Sequence, residues 1–510
     1  MMTSTQPEKE MSIEAPASLG DMETESKEGQ VTILPNTKTT KDGILLVPQP
    51  TDDPEEPLNW SFWKKHLALV ALGFETFLVK FTATLLAPGA HGLAIQFHTS
   101  ARRASYIASA AAVVPSVAPF LWIPLSQRIG RRPVLLGGNF IAIIFTVGLA
   151  RSETYAQALT LRLFAMFFAS VGICITPAAI SDMFFLHEKG KRMGYNTFLL
   201  VCAPYLGGVA GGSIQYNPHL GWRWAMWIAA LLYAALLFAQ IFLVPETIYI
   251  KKQANAESEE TKRSIWRRLG FRKPHNEEPM KVTWTRNFRM FAYPAVVLPS
   301  FWFSICFMTE VANTAGFPLQ FGKGTHYNFN TQQVGFCSFS GFIGAVLGEV
   351  VAGPICDLVA QRHLKKGKKW VPELLLKVAW TGIIFIPAGV LLYGLELNYP
   401  TSWAAALTGI AIFAFGQEVL ITVLLTYMTD CYPHSAAECA VVFQFFLNLN
   451  AYHPPFYVPQ WILQPGGAKV PYIVFAVLPI LFFPLGIGIF MWRGPQIRAK
   501  GRMFAPRRFR

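Results

Sequence analysis

Six ionisable side chains stand inside long apolar stretches of this 510-residue chain: Glu75, Lys80, Arg162, Glu310, Glu349 and Glu418. An apolar medium favours the neutral form of a carboxyl or an ammonium, so these groups are suited to taking up and releasing protons. Charge kept in such a place faces a partner or a water-filled cavity. Five residues separate Glu75 from Lys80, roughly 140° around a helix, which argues against a direct pair within it. Glu349 is suited to taking a proton or holding a cationic ligand, or to an interhelical hydrogen bond. Gln417, Glu418 and Tyr427, with Asn448 and Asn450, add hydrogen-bonding capacity late in the chain. Tyr195, Phe198, Tyr205, Trp302 and Phe303 serve either as packing or as an aromatic surface for a large apolar ligand.

Other chemistries are poorly served. His91, His98, His326 and His453 share no metal-ligand spacing, and no Walker phosphate loop occurs. The glycine-rich stretches at 130–138 and 207–212 follow no strand, so a dinucleotide site is unsupported. Seven cysteines lack CxxC spacing and read as free thiols. The expectation is no metal, no cofactor and no enzymatic activity.

The elements that must position these groups are membrane spans. Hydrophobic residues make up 52% of the chain and charged ones only 15%, which places it outside the soluble class. The net charge of +14 sits in short loops between apolar runs, so it orients helices and does not bind nucleic acid. Runs long enough to cross a bilayer recur at roughly 66–90, 104–126, 133–150, 156–183, 195–216 and 225–244, then at about 291–316, 332–356, 371–394, 402–428, 438–462 and 471–492. Twelve spans are expected. They form two six-helix bundles, 59–245 and 291–493, joined by a cytoplasmic linker at 246–290. The polar start, 1–58, reads as a disordered cytoplasmic tail without a cleavable signal peptide, and 494–510 as a basic cytoplasmic tail. Trp60, Phe62 and Trp63 read as an interfacial anchor.

Lys and Arg concentrate in loops after even-numbered spans: Arg128, Arg131 and Arg132; Lys189, Lys191 and Arg192; the linker; and Arg362, Lys365, Lys366, Lys368 and Lys369. Both termini are therefore expected inside. The halves repeat with an offset of about 225 to 230 residues, the mark of a duplicated unit. That repeat relates span 1 to span 7 and turns Lys80 toward Glu310, as a coupled pair or as a static pair that closes the cavity.

The turn around which the chain is organised, PLSQRIGRRP at 124–133, resembles the loop motif of the major facilitator superfamily, usually GPLSDRxGRRP. Ile123 stands for the glycine and Gln127 for the acidic residue, while Asp357 in GPICDLVAQR keeps the equivalent charge in the second half. DDPEEPLNW before the first span, GWRWAMW at Gly221–Trp227, PET at Pro245–Thr247, GE at Gly348–Glu349 and YMTDCYPHSAAE at Tyr427–Glu438 fit the same family. With Ala203-Pro204-Tyr205-Leu206-Gly207-Gly208 standing for GPxxGG in span 5, the chain resembles fungal twelve-span drug:proton antiporters over about residues 52–493.

The resemblance implies an all-α integral membrane protein: twelve transmembrane helices in two pseudo-symmetric bundles around a cavity that opens to alternate sides, with spans 3, 6, 9 and 12 outside as supports. The middles of those four spans contain no Asp, Glu, Lys or Arg, as supports should. It implies gating by the turns, Arg128, Gly130, Arg131, Arg132, Asp357 and Arg362, and by Pro204, Gly207 and Gly208. Asp430 and Glu438 read as gate or loop contacts. Arg162 matches the arginine of the family's RxxQG and is either part of proton coupling or a charge snorkelling to the outer surface. The function implied is proton-coupled export of a drug-like compound or secondary metabolite at the plasma membrane by a monomer, with a small organic substrate, protons and the lipid bilayer as partners. A proton symporter importing a small organic nutrient or cation is the alternative.

Overall fold

The computed structural model describes residues 38, 46, 48–249, 280–364, 371–432 and 435–501. The expected tail up to residue 37, most of the linker, Lys365 to Lys369 and the end of the basic tail from residue 502 lie outside the described residues.

A backbone in lipid must satisfy its polar groups within each segment, and the apolar runs do so as helices. Among the described residues, eleven helices are long and apolar enough to cross a membrane. They are span 1 (Phe62–Gln96), span 2 (Arg102–Ile129), span 3 (Arg131–Ala150), span 4 (Tyr155–Met183), span 5 (Glu188–Tyr216) and span 6 (Gly221–Leu243), then span 7 (Pro294–Thr314), span 8 (Thr331–His363), span 9 (Pro372–Asn398), span 10 (Trp403–Cys431) and span 12 (Lys469–Arg498). Span 11 is made of two pieces, Ala436–Tyr452 and Pro454–Ile462. Pro454 and Pro455 lack N–H groups and interrupt its ladder, so neither piece is long enough alone. The expected twelve spans are thus present, one of them broken.

Gly130 sets the turn between spans 2 and 3. It ends one helix and precedes the next at φ +116°, a conformation that a side chain would strain, and its N–H reaches Ser126 O at 3.0 Å. Residues from Thr51 onward, read from the sequence as tail, are held in place: Thr51 N donates to Glu56 Oε2 at 2.6 Å, Asn59 Nδ2 to Thr51 O at 2.7 Å and Tyr249 Oη to Asp53 Oδ2 at 3.0 Å. Of the expected anchor, Phe62 and Trp63 are exposed, whereas Trp60 is buried in the core of the first half.

Spans 1–6 and 7–12 form the two bundles, and the seams between them run along spans 5 and 8 and along spans 2 and 11. Span 5 owes its close packing to four glycines. A Cβ on Gly207 or Gly211 would fall 2.2 Å from Phe81 O or 2.0 Å from Leu85 O of span 1. On the neighbouring face, a Cβ on Gly208 would meet Ser338 Oγ at 2.4 Å, and one on Gly212 would meet Gly335 Cα at 2.7 Å, both in span 8. Without side chains there, backbones approach to van der Waals contact and dispersion replaces the hydrophobic drive that lipid does not supply. These contacts lie toward the face opposite the Arg128–Arg132 turn, where Tyr106 of span 2 also packs on Phe456 of span 11, centroids 4.5 Å apart. Toward the basic face, Phe120 of span 2 stacks on Phe288 at 4.9 Å and meets Phe445 of span 11 at 5.9 Å.

Each half also has a buried polar tie among corresponding spans. In the first, Asn139 of span 3 and Gln240 of span 6 both donate to Glu75 Oε2 of span 1 at 2.6 Å. In the second, Gln320 at the end of the span 7 helix accepts from Tyr393 of span 9 and donates to Tyr472 of span 12, the latter at 2.7 Å.

Candidate functional site

A cavity of about 1220 Å³, its open mouth included, lies between the bundles. Its walls come from spans 1, 2, 4 and 5 of the first half and spans 7, 10 and 11 of the second, with nothing from spans 3, 6, 9 or 12. Most of the lining is apolar. The polar groups are few: Lys80 and Thr84 of span 1, Ser109 of span 2, Tyr205 of span 5, Glu310 and Thr314 of span 7, Gln417 and Glu418 of span 10, and Gln444 and Asn448 of span 11. An apolar chamber with a few fixed polar groups suits an organic ligand, the polar groups setting its orientation.

Lys80 and Glu310 reach this chamber from symmetry-related spans and act on each other electrostatically. Among the described residues no ion pair closer than 4.0 Å joins them. Glu310 is instead held by a hydrogen bond from Gln417 Nε2, and it acts electrostatically on the Tyr205 hydroxyl. Glu418 is 4% exposed, and its carboxyl interacts electrostatically with that of Glu349 in span 8. Glu349 itself is half-buried behind the lining and accepts from Thr422 Oγ1 at 3.3 Å.

Besides Glu349, two further expected cavity charges stand outside the lining. Glu75 is fully buried with Asn139 and Gln240 on the side of span 1 away from Lys80, under Gly172 of span 4, where a Cβ would come 2.2 Å from Glu75 Cγ. The physical reason is the 140° between residues five apart: one faces the chamber and the other the supports. Arg162, 2% exposed, neither lines the cavity nor snorkels. The helix of span 1 ends at Thr84, before the turn at Ala87–Gly89, which leaves its last carbonyls without intrahelical donors. Arg162 Nη2 supplies them, donating to Thr82 O at 2.7 Å and Ala83 O at 2.9 Å.

Of the aromatic candidates Tyr205 reaches the chamber, joined by Phe307, which sequence reading passed over. Tyr195 packs on Gly73, Phe198 is exposed, and Trp302 and Phe303 are core residues of the second half, Trp302 Nε1 donating to Pro479 O at 2.8 Å. Pro204 lines the cavity and its carbonyl accepts from Thr84 Oγ1 at 2.6 Å. Asn448 and Gln444 hydrogen-bond within span 11, and Asn450 donates to Ser304 of span 7.

At the basic face the Gly130 turn is clasped by acids of its own half. Glu246 accepts the backbone N–H groups of Arg131 and Arg132 at 3.1 and 3.0 Å, capping the positive end of span 3, and Asp182 at the end of span 4 pairs with the Arg131 guanidinium. Arg132 Nη2 donates to Ile241 O at 2.5 Å. Sequence reading missed Asp182 and gave Glu246 no role. The signal was the PET triplet directly after span 6 and an acid at the end of an otherwise apolar run. Arg128 is exposed in the last turn of span 2, as are Asp357 and Arg362 in span 8, while Asp430 and Glu438 flank the loop between spans 10 and 11. The second half ties span 9 to span 12 differently, through Glu373 Oε1 and Arg498 Nε at 3.7 Å.

Comparison with known proteins agrees with this architecture. The family model for the Major Facilitator Superfamily matches residues 72–451. The cycloheximide resistance protein of Candida maltosa is 25% identical over 502 residues, covering 94% of this chain and 89% of the relative. MFS transporter fsa7 of Fusarium sp. (strain FN080326) is 29% identical over 78% of this chain and 80% of its own. Efflux pump FUBT of Fusarium oxysporum is 26% identical over 88% and 76%. The solved structure of the human organic anion transporter MFSD10 (TETRAN) covers 82% of this chain and 99% of its own at a TM-score of 0.54 and 16% identity, a likeness of fold alone.

Proposed function

Because the chain belongs to the major facilitator superfamily, a family of transporters and not of enzymes, we propose that this multi-pass membrane protein exports a drug-like organic compound or secondary metabolite across the plasma membrane in exchange for protons. The observation that carries the reading is the chamber: one apolar volume shared by both halves, with Glu310, Glu418 and Lys80 in its wall and none of the supporting spans. Cargo and proton meet there, so protonation of a wall carboxyl opposes binding of the cargo, and rocking of the halves exposes the chamber to alternate faces. Parting of Gly208 and Gly212 from Ser338 and Gly335, with Tyr106 from Phe456, opens the face away from the basic turns. Names of relatives such as the cycloheximide resistance protein and efflux pump FUBT favour export over uptake. Both termini then lie in the cytoplasm, and a single chain carries the whole path.

The test is accumulation of dyes, antifungals, organic acids and polyamines in export-deficient yeast expressing the chain, with and without a protonophore. Lowered accumulation that the protonophore abolishes is the expected result. Raised, protonophore-sensitive accumulation makes the protein an uptake carrier and overturns the direction proposed.

A further inference from the structure

Two motifs of the sequence, DDPEEPLNW at 52–60 and PET at 245–247, contribute nothing to the chamber, yet the fold brings them together. The first folds on itself. Thr51 N and Oγ1 both donate to Glu56 Oε2, Glu55 N donates to Asp53 Oδ1 at 2.8 Å, and Asn59 Nδ2 reaches back to Thr51 O and Asp53 O at 2.7 and 2.8 Å. Its near end is fastened to the bundle. Trp60 is buried in one cluster with Trp122 of span 2, Leu135 of span 3 and Val244 after span 6, and Lys65 Nζ of span 1 donates to Leu58 O at 2.8 Å.

Its far end meets the segment that follows span 6. Tyr249 Oη donates to Asp53 Oδ2 at 3.0 Å and stands 3.5 Å from Thr51 Oγ1. Three residues earlier, Glu246 Oε1 accepts from Ile248 N at 3.0 Å as well as from Arg131 N, while its Oε2 accepts from Arg132 N. Buried Thr247 accepts from Arg131 Nη1 at 3.5 Å. Span 6 ends at Leu243, so residues 244–249 have no helical ladder to fix their course. Glu246 stays over the positive end of span 3 only while other bonds hold that course, and the bond from Tyr249 to Asp53 is placed to do so.

We infer that residues 51–60 are a strap that positions Glu246 on the Arg131–Arg132 turn, with Asp53 and Tyr249 as its fastening. Both are positioning residues, since each acts on the turn through Glu246. The inference rests on the proposed transport reading only in treating that turn as part of a gate. Span 2 ends in the turn and carries Phe120, which meets Phe288 and Phe445 at the seam on the basic face. A clasped turn carries that end of span 2 along with the first half when the halves rock. A loosened turn leaves it lagging on Phe288 and Phe445, so the segment ahead of span 1 sets how firmly the seam follows the bundle.

The experiment is amide hydrogen–deuterium exchange on the purified full-length chain in lipid nanodiscs. Tyr249→Phe deletes the fastening hydroxyl alone, and Asn59→Ala deletes the two bonds that fold the strap. Each is checked by its elution as a single species, so that either serves if the other misfolds. In both, the amides of Arg131 and Arg132 should exchange about 2- to 13-fold faster, the factor by which loss of one hydrogen bond shifts a local opening. Amides of the corresponding turn in the second half, Asp357 to Arg362, should not change. In a Glu246→Ala background, where the clasp is already gone, Tyr249→Phe should add nothing at Arg131 and Arg132. Unchanged exchange there in both variants, equal acceleration in the second half, or a full further effect of Tyr249→Phe without Glu246 overturns the strap. No cargo enters the measurement, so a chain that moves no compound in yeast loses the export reading and keeps the strap, and a failed strap leaves export standing.

Discussion

Gly212→Ala should prise open the face of the protein opposite the basic turns. The added Cβ would stand 2.7 Å from Gly335 Cα and 2.8 Å from Thr331 O, where ordinary contact begins at 3.4 Å, so spans 5 and 8 must separate by 0.7 Å (3.4 minus 2.7) or more. Both neighbours are backbone and cannot rotate away. Overpacking of this kind costs about 1–3 kcal/mol. The gain of about 1 kcal/mol from alanine in a helix is the same whether the seam is closed or open, so it cancels. Only the closed state bears the clash, and the population of the open state should rise about 5- to 150-fold. Cys337 is a native reporter: buried at 1% exposure, at the start of span 8 beside Ser338. Its labelling by a membrane-impermeant maleimide added outside intact cells, located by mass spectrometry, should accelerate by a similar factor. An unchanged rate, with the variant folded and inserted, would refute the argument that this glycine contact holds the seam closed.

Two further outcomes are expected. Arg162→Met removes charged hydrogen bonds to Thr82 O and Ala83 O, each worth about 1.5–3 kcal/mol, and should lower the thermal midpoint of the solubilised protein by several degrees, with Arg162→Lys recovering part of the loss. A midpoint that does not move would mean these carbonyls find other donors. Glu75→Gln should leave transport and thermal stability nearly unaltered, because an amide oxygen still accepts from Asn139 and Gln240, whereas Glu75→Leu strands both donors at a cost of about 1–3 kcal/mol each. If the Gln variant instead loses transport at normal stability, a proton on Glu75 takes part in the cycle.

The apolar runs made the spans legible, but span 11 was read as one run, although Pro454 and Pro455 each remove a ladder hydrogen bond and break it. Lys80 and Glu310 could be placed in one cavity because a duplicated unit relates spans 1 and 7. Glu75 could not be placed, although its angle from Lys80 was correct. A scan of the supporting spans for charge finds nothing, yet the partners of Glu75 are the neutral amides of Asn139 and Gln240, which hydropathy does not distinguish from other polar residues in a helix. Arg162 was ambiguous for a different reason. Its acceptors exist only because span 1 changes from α-helix to a tighter turn after Thr84, a local event that an apolar run without a clear breaker before Pro88 does not announce. Glu349 and Glu418 are 69 residues apart (418 minus 349) in the sequence, and only the close approach at Gly344 and Gly348 makes them neighbours.

The two polar ties, Glu75 with Asn139 and Gln240, and Gln320 with Tyr393 and Tyr472, fasten each lining span to its own pair of supports without touching the chamber. Frame and lining are therefore separate targets for mutation. A substitution at Phe307 or Gln444 alters what the wall offers a ligand but leaves every hydrogen bond of the frame intact, so lineages can exchange one cargo for another in small steps, each intermediate still inserting and folding. Relatives that share about a quarter of their residues with this chain across most of its length can keep one scaffold while their cargoes drift apart.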